Sequence, residues 1–371
     1  MPSGLRVLRW AAKILVGGVV LVGLLVVCAF GYRAIRQQQR AAEMALHGPH
    51  AIQEGRYVRI GGVDQWVSIR GQDKANPVIL IVHGGPGGSM IANGYFVRGW
   101  EREFTLVEWD QRGAGRTFAR LGARGSGKLN ADTIASDGVE VARWVERRLG
   151  QDKVILLGHS WGTIVASQMA RQEPDLFSAY VATGVVVEAG RGEQLNYDAL
   201  LSRLKAEGDA KALATLAAIP RPPYAHIEQL GAERALVMAH PAPSERTLQD
   251  QVNRTAVISP EFSLKDLWAH AASQQYSGRV LYPEIASYSA YAHGTVFQMP
   301  VFIIQGDADM QTPAVQAQEY FAHITAPSKR LVLLPGGGHR AMIAMPDQFL
   351  AALRTYVRPA VLERRDGLAG A

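Results

Sequence analysis

Two kinds of apolar pattern divide this chain. The first is one uncharged run, residues 14–32, whose length is close to the roughly 20 residues that a helix needs to cross a bilayer. The second is a series of short runs of the kind expected of strands buried on both faces. These predicted strands are residues 78–82, 105–109, 154–157, 180–187, 301–304 and 331–334.

Hairpin and helical patterns accompany the predicted strands. Two alternating runs in residues 57–70 flank Gly61-Gly62, which predicts a hairpin. In residues 133–149 the apolar positions fall on one helix face. Because strands and helices alternate, we expect an α/β fold with a mostly parallel central sheet and flanking helices.

The alternation breaks in residues 188–298, which are rich in Ala, Leu, Gln and Glu. We interpret this segment as a helical cap inserted between two parts of the core, residues 53–187 and 299–371. Residues 33–52 are polar and rich in helix formers, so we expect them to continue the apolar helix as a short stalk.

The apolar run itself is interpreted as a retained transmembrane helix, with residues 1–32 forming a cytoplasmic stub and the span. A cleaved secretory signal is the alternative, but no small-x-small cleavage site follows, and the run exceeds a typical signal core. Basic residues are balanced on its two sides, so the positive-inside rule favours only slightly a catalytic domain on the extracytoplasmic side. Cys28 is expected to fill space within this helix.

Net charge and cysteine content exclude several classes of function. The formal charge is +6, but the first forty residues hold six basic residues and no acidic one, so the remaining chain is neutral. A basic face for nucleic acid is therefore not predicted. With one cysteine, no internal disulfide and no cysteine-rich zinc site can form. No metal or organic cofactor is implied.

A serine stands where a nucleophile would be expected. Gly158-His159-Ser160-Trp161-Gly162 follows an apolar strand and precedes a helical run, the setting of the nucleophile elbow of α/β-hydrolases. The turn is tight, so glycines are needed two residues before and two after the serine. Ser160 is the predicted nucleophile.

A serine hydroxyl needs a base to remove its proton and a carboxylate to orient that base. In α/β-hydrolases the order along the chain is Ser, Asp, His. His339 is the predicted base because it lies in a glycine-rich loop after the last strand. Asp307 and Asp309 both follow the preceding strand, and spacing alone does not choose between them.

Residues 83–88, HGGPGG, follow a strand and resemble the glycine-rich oxyanion loops of lipases and esterases. Backbone N–H groups aimed in advance at a developing oxyanion stabilise it. The predicted donors are the N–H groups of Gly85 and Trp161.

Four motifs together resemble the prolyl aminopeptidase (proline iminopeptidase) family of α/β-hydrolases. They are HGGPGG at 83–88, WDQRGAGRT at 109–117, GHSWG at 158–162 and GDADMQTP at 306–313. The resemblance implies that the catalytic acid is Asp309 and supports both oxyanion donors. His159 and Thr117 replace the glycine and serine usual in the family.

The resemblance also implies roles outside the triad. Asp110 and its neighbours in the DQRG motif are expected to support the site rather than to carry protons. Acidic residues of the cap would bind the free amine of a peptide substrate, and four acidic side chains in the segment remain open for that role. They are Glu193, Glu228, Glu233 and Glu261.

The sequence thus predicts a membrane-anchored serine hydrolase that forms an acyl-enzyme and removes an N-terminal residue from small peptides or aminoacyl amides. One alternative is a carboxylesterase or amidase acting on a lipophilic acyl substrate. A second is a non-catalytic binding protein of the same fold. The oligomeric state is not predicted.

Overall fold

The computed structural model describes residues 3–91 and 93–369, and its centre is one eight-stranded sheet. The strands are β1 (Ile52–Ile60), β2 (Val63–Gly71), β3 (Val78–Val82), β4 (Thr105–Asp110), β5 (Val154–His159), β6 (Phe177–Thr183), β7 (Val301–Gly306) and β8 (Lys329–Leu334). Their order across the sheet is β1-β2-β4-β3-β5-β6-β7-β8. The hairpin β1-β2 and the pair β2-β4 are antiparallel, and the other pairs are parallel. The predicted mostly parallel sheet is confirmed.

Helices cover both faces of this sheet. The α-helices are α1 (Ser3–Glu43), α2 (Gly115–Gly125), α3 (Ala131–Leu149), α4 (Trp161–Gln172), α5 (Ala189–Glu207), α6 (Ala210–Ala217), α7 (Ile227–Ala239), α8 (Leu248–Ile258), α9 (Leu264–Ala286), α10 (Ala290–His293), α11 (Ala314–His323), α12 (Ala341–Ala344), α13 (Pro346–Ala352) and α14 (Arg358–Ala369). Segments of 3₁₀-helix lie at Gly94–Arg102, Pro174–Leu176 and Pro243–Glu245, and Leu353–Val357 is a π-helical segment.

The alternation of side chains along each strand builds two apolar cores. In β3, Leu80 packs into the core shared with α3 and α4, whereas Ile79 and Ile81 pack into the core on the other face. On that second face the rings of Trp100 and Phe349 stack with centroids 5.3 Å apart. Burial on both faces explains why these strands read as continuous apolar runs.

Helices α5 to α10 lie between β6 and β7 in the chain, as expected for an inserted helical cap. The cap has an apolar cluster of its own, to which Leu200, Leu204 and Leu216 contribute. Met310, from the loop after β7, packs into the same cluster. The cap is therefore anchored on the loop that carries Asp309.

Helix α1 is one continuous helix that is long and apolar enough to cross a membrane, with a mean hydropathy of 2.8 in its most apolar window. It continues past the apolar run but ends at Glu43, so residues 44–51 are not the helical stalk expected from composition. The last turns do not stand free of the protein, because Arg33 and Gln37 donate hydrogen bonds to carbonyls of the cap.

Candidate active site

Ser160 occupies the sharp turn between β5 and α4. Its backbone has φ 54° and ψ −125°, a combination that costs on the order of 1–3 kcal/mol for a residue with a side chain. Two backbone hydrogen bonds hold the turn: the N–H of Ser160 donates to Thr183 O at 3.0 Å, and the N–H of Thr163 donates to Ser160 O at 2.7 Å. The strain is thus maintained by β6 and by the first turn of α4.

The glycines of the elbow are required by close approach of backbone. A Cβ on Gly162 would lie 2.0 Å from the carbonyl oxygen of Val82, at the end of β3. A Cβ on Gly158 would lie 2.8 Å from Gly162 O. The sequence G-x-S-x-G therefore lets α4 start against the neighbouring strand.

The structure brings the three predicted triad side chains together from the ends of three strands. His339 Nε2 lies 2.9 Å from Ser160 Oγ. His339 Nδ1 lies 3.0 Å from Asp309 Oδ2 and 3.2 Å from Oδ1. These are the contacts through which an imidazole can remove a proton from a hydroxyl while a carboxylate fixes its tautomer.

Asp309 is held as a buried carboxylate. Its oxygens accept from the N–H groups of Gln311 and Thr312, at 2.8 and 2.9 Å, and from the hydroxyl of Thr312 at 2.7 Å. Burial acts to raise the pKa of Asp309, but His339 and these donors outweigh burial, and the pKa lies below its ordinary value. The carboxylate thus stays ionised beside the imidazole.

Asp307, the rival candidate for the acid, faces elsewhere. Its Oδ1 accepts a hydrogen bond from the N–H of Gly336 at 2.7 Å. It therefore ties the loop after β7 to the loop after β8. This tie supports the glycine-rich loop that carries His339.

The loop after β3 lies directly against the nucleophile. A Cβ on Gly84 would be 2.9 Å from Ser160 Cβ, and Gly85 has φ 132°, which favours glycine. His83 fixes the start of this loop: its Nδ1 bonds Gly84 O at 2.8 Å, while its Nε2 accepts from the N–H of Gln111 at 3.2 Å. Gly85 and Trp161 both line the cavity around Ser160.

Two further histidines near the site are held neutral. Burial lowers the pKa of His83 to about 4. The pKa of His159 is also lowered to about 4, by burial and then by the nearby His339. His159 Nε2 lies 3.0 Å from the carbonyl oxygen of His339. The histidine that replaces the usual glycine of the family therefore contacts the loop that carries the predicted base.

The DQRG motif forms a buried frame beside the site. Gln111 links the oxyanion loop to the elbow, because its amide donates to His83 O at 2.9 Å and accepts from Trp161 Nε1 at 3.0 Å. Arg112 makes a two-point ion pair with Asp137 of α3, at 2.8 and 2.9 Å. Asp137 lies on the otherwise apolar face of α3. An acid at such a position in the sequence indicates that a basic side chain is buried beside it, which here is Arg112.

Asp110 is also buried, and its Oδ2 accepts from the N–H of Arg116 at the start of α2, at 2.7 Å. Burial raises the pKa of Asp110 to about 6. These contacts match the expectation that the motif supports the site.

A cavity of about 260 Å³ opens over Ser160, between the core and the cap. Much of its wall is apolar, formed by Val186, Val187, Ala189, Ile227, Leu230 and Ile285. Its polar lining includes Ser160, His339, Glu193, Arg234, Gln311 and Gln316. The volume is slightly below the range of drug-sized ligand pockets, which start at about 300 Å³.

The structure separates the four acidic residues of the cap segment. Glu193, on α5, lines the cavity, and Glu233, on α7, is fully buried and close enough for its charge to act on Glu193. Glu228 is exposed and pairs with Arg279, and Glu261 pairs with Arg98.

In the part of the cap that the structure describes, the positive charge of Arg234 acts on both Glu193 and Glu233. Arg234 Nη1 lies 3.3 Å from Glu233 Oε2, and Arg234 also lines the cavity. Neither carboxylate oxygen of Glu233 has a hydrogen-bond partner of good geometry in the residues that the structure describes. Burial raises the pKa of both carboxyl groups, and the charge of Arg234 opposes this. With both ionised, the cluster carries one net negative charge.

Within residues 3–91 and 93–369, no three or more His, Cys, Asp or Glu side chains are grouped so that they could hold a metal ion.

Comparison with known proteins identifies the family. A family model described as the alpha/beta hydrolase fold matches residues 77–344. The chain belongs to this family. A protein of Bacillus subtilis named probable aminopeptidase YbaC is 27% identical over 309 residues, which cover 81% of this chain and 94% of that protein.

Solved structures share the fold of this α/β-hydrolase. Proline iminopeptidase of Mycobacterium smegmatis matches with a TM-score of 0.59 and 21% identity, over 84% of this chain and all of that one. A structure described as a membrane phospholipase A matches with a TM-score of 0.59 and 16% identity, over 95% of this chain and 98% of that one. The predicted resemblance to the prolyl aminopeptidase family is confirmed.

Several residues of this α/β-hydrolase site were not identified from the sequence. Arg234 pairs with Glu233, and Tyr224 lies beside both acids of the pair, but the sequence has no motif around either residue. The roles of His83 and Gln111 could have been suspected, because both lie within the motifs of the predicted oxyanion loop and the DQRG turn.

Proposed function

We propose that the chain is a membrane-anchored serine aminopeptidase of the prolyl aminopeptidase type. Ser160 Oγ attacks the carbonyl carbon of the first residue of a peptide or aminoacyl amide while His339 Nε2 takes its proton. Asp309 keeps the remaining imidazole proton on Nδ1 and stabilises the imidazolium that forms. The distances of 2.9 and 3.0 Å between these groups support this assignment.

The tetrahedral intermediate then collapses to an acyl-enzyme. The N–H groups of Gly85 and Trp161 hold its oxyanion, and His339 returns the proton to the departing amine. Water, activated by the same imidazole, releases the amino acid and restores Ser160. The strained elbow supports this proposal, because backbone strain in a folded protein is concentrated at functional sites.

The observation that carries the substrate assignment is the acidic pair in the cap. Two carboxyl groups beside one guanidinium leave an excess negative charge at the cavity wall, where burial makes it costly, and the ammonium group of a free N-terminus would neutralise it and donate hydrogen bonds. Glu193 is the proposed contact, with Glu233 adding negative charge behind it and Arg234 limiting the net charge to one. The small cavity supports a substrate that inserts a single residue.

We propose that α1 is retained as the membrane anchor. The lack of a small-x-small cleavage site after the apolar run supports retention, and Arg33, Gln37 and Arg40 join the end of that run to the folded domain. The buried Met44, whose carbonyl oxygen accepts a hydrogen bond from Arg70, extends this docking past the end of the helix. An extracytoplasmic catalytic domain remains our proposal for its orientation.

The esterase alternative is favoured by one observation, the apolar side chains that form much of the cavity wall. They could accept a lipophilic acyl chain, and the triad chemistry would be unchanged. The two functions differ in whether the substrate must carry a free amine.

The test uses the full chain in detergent and compares prolyl and alanyl anilides with their N-acetylated forms and with a short-chain nitrophenyl ester. We expect only the free-amine anilides to be cut efficiently. Glu193→Gln should lower their kcat/KM roughly tenfold to a hundredfold, the effect of one charged hydrogen bond of about 1.5–3 kcal/mol.

Glu228→Gln is the matched control, since Glu228 is an exposed cap acid and its loss should leave kcat/KM unchanged. Preferential cleavage of the ester, with no response to Glu193→Gln, would replace the aminopeptidase by the esterase.

A further inference from the structure

The apolar helix has the residues of a membrane interface at both ends. Trp10 and Tyr32 are 69% and 63% exposed. The 22 residue-to-residue steps from Trp10 to Tyr32 span about 33 Å of helix, close to the roughly 30 Å of hydrocarbon in a bilayer. Tryptophan and tyrosine are enriched at membrane interfaces, with basic residues beside them. The second interface is therefore expected at Tyr32 and Arg33.

The cap touches α1 at this level. Arg33 donates to Val257 O at 2.9 Å and to Phe262 O at 2.7 Å. One turn further, Gln37 donates to Ser259 O at 2.7 Å. Since Arg33 directly follows Tyr32, the connection between α8 and α9 lies beside the point where the apolar helix leaves the hydrocarbon.

Exposed apolar side chains surround this contact. Val257 is 49% exposed, Leu264 is 47% exposed and Trp268 is 72% exposed. Leu264 and Trp268 are one turn apart on α9, so they share a face, while Leu267 packs inward on the cluster of Ile91 and Phe262. We name Val257, Leu264 and Trp268 the interfacial patch.

We propose that the interfacial patch rests in the headgroup region of the same membrane that α1 spans. The proposal relies on the membrane anchor proposed above. A lipid surface is the occupant because the patch is continuous with the end of the span and contains an exposed tryptophan. The exposed Arg254 and Lys265 flank it and can reach lipid phosphates.

This arrangement would fix the cap relative to the bilayer at two points. Arg33 holds the connection between α8 and α9 to the anchor, and Trp268 holds α9 to the lipid. Helix α9 also hydrogen-bonds to the core loops beside the site, since Ser273 donates to Gly87 O at 2.8 Å and Ser277 donates to Gly113 O at 2.7 Å. The active site is thereby held close to the membrane surface.

The experiment places an environment-sensitive fluorophore on single cysteines of the full chain in phosphatidylcholine vesicles. Cys28→Ser provides the background, because Cys28 is the one cysteine of the chain. Labels are attached in Trp268→Cys, in Val20→Cys within the span, and in Val296→Cys, which is 64% exposed and lies outside the patch. Spin-labelled lipids carry the quencher near the headgroup or deep in the chains.

We expect the label at 268 to be blue-shifted and quenched by the shallow lipid, the label at 20 to be quenched by the deep lipid, and the label at 296 to be unaffected by either. A quenched label at 20 with an unquenched label at 268 would overturn the interfacial patch while leaving the anchor in place. If neither is quenched, both the anchor and the patch are wrong. A blue shift at 268 without quenching would indicate contact with a second copy and also overturn the proposal.

A second comparison tests the link to α1. Arg33→Ala removes both hydrogen bonds to the cap and should reduce quenching at 268. Arg36→Ala is the matched control, because Arg36 donates to Gln39 within α1. Equal quenching in the two variants would show that Arg33 does not position the patch. Hydrolysis of prolyl anilide is also measured for each labelled protein. A loss of quenching can then be distinguished from a failure of the aminopeptidase assignment.

Discussion

Replacing Asp309 by asparagine tests how the triad is oriented. The imidazole of His339 can accept the proton of Ser160 only if its own proton is on Nδ1, which lies 3.0 Å from Asp309 Oδ2. An asparagine amide at this place can donate to Nδ1 and so favour the tautomer with the proton on Nε2. In a serine protease the same change lowers kcat about 10⁴-fold, equivalent to about 5 kcal/mol of transition-state stabilisation.

We expect a loss of this size in the kcat of Asp309→Asn for prolyl anilide, with KM changed much less. Asp307→Asn is the matched control, because Asp307 is two residues away and its carboxylate accepts a hydrogen bond from the N–H of Gly336 rather than from His339. It should lower kcat severalfold at most, through the loop. Equal kcat for Asp309→Asn and the wild type, with an inactive Asp307→Asn, would show that Asp307 and not Asp309 orients His339.

Two further predictions concern stability, measured as the free energy of unfolding by denaturant. Arg112→Ala should cost about 3–5 kcal/mol because it leaves the buried charge of Asp137 unpaired, whereas Arg143→Ala, which breaks an exposed pair, should cost about 0–1 kcal/mol. His83 has a folded pKa of about 4, below its ordinary 6.5, so the unfolded chain binds the proton first as the pH falls. The neutral His83 therefore makes its full contribution to the free energy of unfolding above pH 6.5, and this contribution is lost as the pH falls towards 4. The free energy of unfolding of the wild type should therefore fall by about 3 kcal/mol relative to that of His83→Gln between pH 6.5 and pH 4.

Similar costs for Arg112→Ala and Arg143→Ala would mean that the buried pair is not needed for stability. A gap between wild type and His83→Gln that stays constant from pH 7 to pH 4 would mean that His83 is not held neutral.

The fold and the side chains that meet in the candidate active site were predictable where they depend on local sequence. Strands buried on both faces must be apolar throughout, and the elbow needs glycine where backbone passes at contact distance, as at Gly162. The choice between Asp307 and Asp309 was not local. Both follow β7, and only the path of the loop after β8 decides which of them meets His339.

The cap was predictable as a helical segment but not in its orientation. Glu193 and Glu233 lie on different helices, and their approach to one cavity depends on how α5 and α7 pack. Neither the spacing nor the amphipathicity of these helices separates them from the exposed Glu228. A carboxylate that faces a cavity and one that faces solvent look the same in one sequence.

The docking of α1 could not be predicted either. From the sequence, Arg33 and Gln37 are interpreted as the polar end of a membrane anchor. Their hydrogen-bond acceptors are backbone carbonyls more than 200 residues further along the chain. A carbonyl acceptor leaves no signature, because every residue has one. Contacts of this kind appear only in three dimensions.

The proposed mechanism depends on Ser160 as a nucleophile activated by His339. The most direct measurement is labelling of the full chain with a fluorophosphonate, followed by mass spectrometry of the labelled peptide. We predict one adduct, on Ser160, which is absent in Ser160→Ala and forms far more slowly in His339→Ala, with all three proteins folded. An unlabelled Ser160 in the folded wild type, or an adduct on another residue, would contradict the account.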